Sequence, residues 1–354
     1  MKKQLLIAGL VAAAAILAAA AGPAAMAAEK TDVTIRGAGA SFPYPLYAQW
    51  AADYEKVIGA KIDYQSIGSG AGIQQIKAGT VDFGATDAPL KIDDLNKAGL
   101  VQFPMTAGGV VLIVNVKGVT AGKFNLSPFV LAQVFLGGIS NWNDPKIKEL
   151  NPDLTLPDLP ITVVHRADSS GTTWIFTSYL DKVSKTWHEK AGADKAVSWP
   201  TGVGGKGNEG VSAYVQRVDG SIGYVEYAYA AQNSLAYTNL KNQAGKMLTP
   251  SIDTFQAAAA NADWKNAPGY YMVLVDEPGD NSWPITGATF ILIYKDQTDA
   301  VKAKAMLEFF NWSLTNGAPT ATKLAYVPLP ESLVKMIRET WSKEVKAVGQ
   351  ALWK

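Results

Sequence analysis

Short apolar runs, turns of glycine and serine, and apolar residues at helical spacing follow one another repeatedly along this chain. Val33-Thr34-Ile35-Arg36 leads into Gly37-Ala38-Gly39-Ala40-Ser41-Phe42, after which Leu46, Tyr47, Trp50 and Tyr54 fall on one helical face. Lys61 to Gln65 alternates like a strand and enters Gly68-Ser69-Gly70-Ala71-Gly72, followed by Ile73 and Ile76. Ile161-Thr162-Val163-Val164 passes through His165-Arg166 into Asp168-Ser169-Ser170-Gly171-Thr172, and Ile175, Phe176, Tyr179, Leu180 and Val183 then recur at helical intervals. Strand patterns alternating with helix patterns predict an α/β architecture with mainly parallel central strands.

Two longer apolar runs, Gly109 to Val116 and Thr289 to Tyr294, each follow a proline, in Phe103-Pro104 and Trp283-Pro284. They read as two crossings between lobes, because 354 residues exceed one typical domain of ~100–200 residues. The expected division is 29–105 for the first part of lobe one, 106–284 for lobe two and 285–354 for the second part of lobe one. Helices are expected over Ala300 to Thr315 and Glu331 to Trp353.

The apolar run at the amino end has a different meaning. Lys2 and Lys3 precede an unbroken stretch from Leu5 to Ala21, then Gly22-Pro23 and the small residues around Ala25-Met26-Ala27. This is the pattern of a secretory signal peptide over residues 1–28, cleaved after Ala27 or Ala28. A transmembrane anchor is the alternative; the alanine-rich run is only weakly hydrophobic and ends in a cleavage pattern. The mature protein is therefore expected to be exported. With no cysteine, it has neither a disulfide framework nor a lipid-accepting thiol, which fits a free protein of the periplasm.

Composition narrows the function classes. A 48% hydrophobic and 18% charged chain can bury a core and is not disordered. Removing Lys2 and Lys3 takes the formal net charge from +1 to −1, so no basic excess exists to hold nucleic acid or an anionic membrane. Any anion site must be built locally. His165 and His188 are the only histidines, and no G-x-S-x-G elbow or Walker A sequence occurs, so zinc sites and serine triads lack parts. His165, inside an apolar strand, reads as a packed residue. Gly205-Lys206-Gly207-Asn208-Glu209-Gly210 spells G-x-G-x-x-G without a clear preceding strand, and reads as a tight turn opening a helix.

Three strand-to-helix turns share small residues and a hydroxyl: Ser41 in one, Ser69 in the second, Ser170 with Thr172 in the third. Helix starts offer unpaired N–H groups and partial positive charge, small residues let an oxyanion approach them, and hydroxyls add donors. Each serine taken alone is also an ordinary helix cap. Arg166, one of four arginines, ends a strand two residues before Asp168. Its planar fork suits a tetrahedral anion, with Asp168 holding the fork; a purely structural ion pair is the alternative. Asp87 closes Val81 to Thr86 and is either a turn former or an acceptor for an anion that carries a proton. Phosphate carries one at neutral pH; sulfate does not.

Taken in order, Gly37 to Pro43, Gly68-Ser69-Gly70, Asp82 to Pro89, Arg166 to Thr172, Gly204 to Asn208 and Gly223 to Ala230 resemble the PstS-type periplasmic phosphate-binding proteins over essentially the whole mature chain. The resemblance implies a two-lobe class II periplasmic binding protein, each lobe a central β-sheet flanked by helices, with phosphate dehydrated in the interlobe cleft. It implies ligand roles for Ser41, the Phe42 N–H, Ser69, Asp87 as acceptor of the ligand's proton, Arg166 as clamp, and Ser170, Gly171 and Thr172, with Asp168 orienting Arg166. Ser41 stands where the family often has threonine, and Gly70-Ala71-Gly72 and Ser169 depart slightly from its commonest spelling. The implied function is capture of inorganic phosphate and delivery to the membrane permease subunits of an ABC importer, by a monomer, without catalysis, cofactor, metal or nucleic acid. Another tetrahedral oxyanion such as sulfate is the alternative ligand. An exported phosphatase lacks a visible nucleophile, and an adhesion scaffold has no use for three anion turns.

Overall fold

The computed structural model describes residues 33–354; the expected signal peptide lies outside the described residues. From residue 34 the chain runs β1 (Thr34–Gly39), α1 (Tyr44–Ile58), β2 (Lys61–Ser66), α2 (Ser69–Lys77), β3 (Phe83–Thr86), α3 (Ile92–Ala98) and the long strand β4 (Leu100–Asn115). It continues with β5 (Asn125–Leu126), α4 (Pro128–Phe135), α5 (Pro145–Leu150), β6 (Thr162–Arg166), α6 (Gly171–Val183), α7 (Lys185–Lys190), β7 (Val203–Gly205), α8 (Gly207–Arg217) and β8 (Ser221–Glu226). There follow α9 (Tyr227–Gln232), β9 (Ala236–Tyr237), β10 (Asn239–Lys241), β11 (Met247–Leu248) and α10 (Ile252–Ala259). The remainder holds β12 (Thr286–Tyr294), β13 (Asp296–Gln297), α11 (Ala300–Thr315), α12 (Ala318–Lys323), α13 (Glu331–Glu344), β14 (Lys346–Ala347) and β15 (Gln350–Ala351).

The helices form where the apolar spacing places them. In α1 the buried residues are Leu46, Tyr47, Trp50 and Tyr54, and Gly59 closes the helix in the left-handed region at φ 85°. In α6, Ile175, Phe176, Tyr179 and Leu180 face inward, and Ser170 caps the first turn by accepting from the Thr173 N–H.

Nine strands form one continuous sheet in the order β2-β1-β3-β12-β4-β8-β6-β7, with β9 also paired to β4. One end, β2-β1-β3, is parallel, and so is the other, β8-β6-β7. The middle is antiparallel: β12 pairs with β3 and β4, and β4 pairs with β8. Parallel order therefore holds at both ends and fails where the long strands run. Residues Leu100 to Gly109 of β4 pair with β12, and Val110 to Asn115 pair with β8. One strand thus belongs to both halves of the molecule.

Three further expectations change. A strand, β7, does stand directly before the G-x-G-x-x-G turn, which opens α8. The strand expected over Gly109 to Val116 begins at Leu100 and runs through Pro104. Proline cannot donate to a ladder, and the register slips there: Thr289 faces Thr106 while Phe290 faces Pro104, leaving Met105 as the extra residue of a bulge. The helix expected to reach Trp353 stops at Glu344. Val348 and Gly349, at φ 50° and 76°, turn the chain so that β15 pairs back on β14, which pairs with β13.

Candidate functional site

The carboxyl ends of the parallel strands in both halves point at one place. Beyond β1 lie Ser41 and Phe42; beyond β2, Ser69; beyond β3, Asp87; beyond β6, residues Ala167 to Ser170 and the start of α6; beyond β7, the start of α8. Ligands of open α/β sheets collect at such ends. Ser41, Phe42, Ser69, Asp87, Arg166, Ser170, Gly171 and Thr172 are all buried, and Asp168 is half-buried.

The turns approach closely because glycine permits it. A Cβ on Gly39, where φ is 150°, would lie 2.0 Å from the Ala85 carbonyl. A Cβ on Gly171 would lie 2.5 Å from Ser69 Oγ and 2.6 Å from Asp87 Oδ2, so only a bare backbone lets the start of α6 meet the opposing turns. Hydrogen bonds then join the halves. The Gly70 N–H donates to the Ser169 carbonyl at 2.9 Å, and the Gly171 N–H to Ser69 Oγ at 3.0 Å. Tyr229 donates its hydroxyl proton to the Ser41 carbonyl at 2.7 Å.

Serine roles separate here. Ser170 is a helix cap. Ser41 and Ser69 are not: the residues at the caps of α1 and α2 are Pro43 and Gly68, and neither helix has a side-chain cap. Instead each accepts two N–H donors. Ser69 Oγ takes those of Asp87 and Gly171 at 3.2 and 3.0 Å; Ser41 Oγ takes the backbone and side-chain nitrogens of Asn208 at 3.1 and 2.8 Å. A hydroxyl has two acceptor positions and one proton, so filling both leaves only the proton to offer.

Arg166 and Asp168 form a two-pronged pair: Nε donates to Asp168 Oδ1 at 2.7 Å and Nη2 to Oδ2 at 2.5 Å. The Gly207 N–H also donates to Oδ1 at 3.0 Å. Burial pushes the Asp168 carboxyl up, but the Arg166 hydrogen bonds and charge, with Gly207, outweigh it and hold it below the usual carboxylate range. Arg166 Nη1 is buried with no partner in the protein. So are both carboxyl oxygens of Asp87. Burial pushes Asp87 up to about 7; the Thr289 hydroxyl, the Arg166 charge and Ser69 only partly offset it. The Phe42 carbonyl accepts from Tyr326, which fixes that turn.

Tyr229, Tyr326, Glu226 and Asn208 escaped the sequence reading. Asn208, Glu226 and Tyr229 lie in two of the segments that carry the resemblance, but nothing local gives them a role, and the tyrosines act across more than 180 residues of chain. His165 stacks on Trp199 at 4.7 Å, as a packed residue does; burial holds its ring below the ordinary histidine range, partly offset by its contact with the Arg166 carbonyl. Among the described residues no group of His, Cys, Asp or Glu is placed to hold a metal ion.

Chemically, the arrangement offers buried hydroxyl protons and one guanidinium NH2 group to an acceptor-rich guest, and one carboxyl group to a guest proton. The profile described as PBP superfamily domain matches residues 24–316. The phosphate-binding protein PstS of Pasteurella multocida is 54% identical over 321 residues, covering 90% of this chain and 93% of that protein. That of Haemophilus influenzae is 52% identical, covering 88% and 94%. A high affinity periplasmic phosphate-binding protein solved with phosphate bound shares the fold at TM-score 0.73 and 21% identity, covering 90% of this chain and 96% of that one. A phosphate-binding protein from Stenotrophomonas maltophilia does so at TM-score 0.65 and 20% identity, covering 90% and 97%. With its two-lobed α/β fold and this degree of identity over nearly its full length, the chain belongs to the PstS family of phosphate-binding proteins, within the PBP superfamily.

Proposed function

We propose that this protein captures inorganic phosphate in the periplasm and hands it, as a monomer, to the permease subunits of an ABC importer. Cleavage of residues 1–28 during export belongs to this reading. Phosphate would be held by the hydroxyls of Ser41, Ser69, Ser170 and Thr172, the N–H groups of Phe42 and Gly171, and Arg166, with Asp168 steadying Arg166 and Asp87 taking the ligand's proton. The lobes would be 29–105 with 285–354, and 106–284, moving about the crossings near 105 and 285.

One observation supports this reading above the rest. A buried guanidinium nitrogen and both oxygens of a buried carboxyl group, none of them hydrogen-bonded within the protein, lie beside hydroxyls that have only protons to give. Leaving such groups unmet is costly, and a tetrahedral anion that still carries a proton satisfies both kinds at once. Calorimetry on ligand-stripped protein tests it, with phosphate, sulfate and a phosphate ester as titrants. The expected result is stoichiometric heat with phosphate, far weaker binding of sulfate, and no release of phosphate from the ester. Preference for sulfate would make this a receptor for a fully ionised oxyanion, and sustained ester hydrolysis lost on mutating the site would make it an enzyme.

A further inference from the structure

Asn208 opens α8 at the point where the two halves meet, and it is wholly buried. Its amide has a defined orientation. The Glu226 backbone N–H donates to Asn208 Oδ1 at 2.9 Å, and an N–H can only donate, so the opposite end of the amide is the NH2. That NH2 donates to Ser41 Oγ at 2.8 Å and to Thr172 Oγ1 at 3.2 Å. The Asn208 backbone N–H also donates to Ser41 Oγ, at 3.1 Å. One residue therefore fills both acceptor positions of the Ser41 hydroxyl and one of Thr172.

We propose that Asn208 is a positioning residue that turns the Ser41 and Thr172 hydroxyls, one from each half of the molecule, into donors aimed at the bound anion. The assignment rests on the phosphate reading above. A free hydroxyl rotates and presents a lone pair as readily as a proton, and a lone pair facing a phosphate oxygen repels it. With its lone pairs engaged by Asn208, the Ser41 hydroxyl can point only its proton elsewhere. The same contacts draw together the turn after β1 and the start of α6, so the residue acts on donor polarity and on geometry together.

Phosphate titration by calorimetry on ligand-stripped protein separates this role from simple support of the fold. Asn208→Ala is made in the wild-type background and in a Ser41→Ala/Thr172→Val background. In the first, affinity should fall about tenfold, the loss of one to two hydrogen bonds' worth of orientation. In the second, the same change should cost less than about threefold, because the hydroxyls it acts through are gone. Equal losses in the two backgrounds would reduce Asn208 to a structural residue and overturn the proposal. Asn208→Asp keeps the shape and the acceptor for the Glu226 N–H while replacing the donor end with an acceptor. It should weaken phosphate binding at least about tenfold further than Asn208→Ala when the hydroxyls are present, since it draws their protons away. If Asn208→Ala does not fold, Asn208→Asp in the two backgrounds carries the same comparison, and wild-type affinity in Asn208→Asp overturns the proposal. Absence of phosphate binding by the wild-type protein would sink the phosphate reading and this assignment with it, whereas wild-type binding with additive losses sinks the assignment alone.

Discussion

Asp87 and Arg166 occupy one buried site, and each leaves hydrogen-bonding capacity unused by the protein. Arg166→Ala should weaken phosphate binding far more than Lys206→Ala. A charge-assisted bond is worth about 1.5–3 kcal/mol, roughly ten- to hundredfold, and the change also strips Asp168 of its partner. Lys206 is exposed, and its side chain makes no hydrogen bond at the start of α8. Equal losses in calorimetry would mean that the cationic clamp lies elsewhere. For Asp87, a carboxyl group pushed up to about 7 from its ordinary 3.8 keeps its proton in the closed protein over a range where an open, wetted cleft would release it. Closure without ligand should therefore become less favourable as pH rises from about 4 to about 7. Small-angle scattering of phosphate-free protein should show wild type opening between pH 4 and pH 7 more than Asp87→Asn does; parallel behaviour would contradict it. The same proton governs selectivity. Ionised Asp87 faces a lone pair and a like charge on sulfate but an O–H on phosphate. Asp87→Asn should narrow the phosphate-to-sulfate ratio, and sulfate affinity of the wild type should climb as pH falls through 7. An unchanged ratio would leave Asp87 a turn residue.

At the level of elements, the close meeting of helix starts depends on backbone with no side chain in the way. Gly171 is the first residue of α6, where alanine suits the helix, so Gly171→Ala should leave the ligand-free fold intact. Its Cβ would nevertheless strike Ser69 Oγ and Asp87 Oδ2, both within 2.6 Å. Phosphate affinity is expected to fall at least about hundredfold, since the Gly171 to Ser69 bond and the seat of the anion are both displaced. Calorimetry beside thermal melting checks this: near-native affinity would show that the two turns need not meet. Buried Glu226, at the end of β8, shows a related constraint. Tyr326 lies 2.7 Å from the Phe42 carbonyl and 2.8 Å from Glu226 Oε2, yet a phenol has one proton. Glu226 Oε2 also accepts the Ala228 N–H at 2.9 Å, and burial pushes the Glu226 carboxyl well above the usual range, the Tyr326 and Ala228 bonds only partly offsetting it. Glu226→Gln should melt close to wild type at pH 7, while Glu226→Ala, which leaves a cavity and unmet partners, should lose about 2–4 kcal/mol.

The longest strand spans both halves of the molecule. β4 pairs with β12 through its first part and β8 through its second, so a bend near Gly109 would move one half against the other without unpicking either end of the sheet. The hydrogen bonds from Gly70, Gly171, Asn208 and Tyr229 across the cleft describe a closed arrangement. Small-angle scattering should give a smaller radius of gyration with phosphate than without it. An unchanged radius, with binding verified in the same sample, would mean that the halves do not move.

What depends on near neighbours was legible in the chain. The inward faces of α1 and α6, the glycine-serine turns, and the pairing of Arg166 with Asp168 two residues away all follow from local spacing. The resemblance of those turns to one family extended the reading to a site. Tertiary structure decided the rest, because it turns on contacts between distant segments. Ser41 meets Asn208 across 167 residues and Ser69 meets Gly171 across 102, so no window of sequence distinguishes a capping serine from one whose lone pairs are filled from the far half. Pro104 stands inside a strand because a bulge against β12 absorbs its missing donor. Asp87 is a turn former by sequence; it becomes an acceptor poised near neutrality only because five turns from both halves close over it and exclude water.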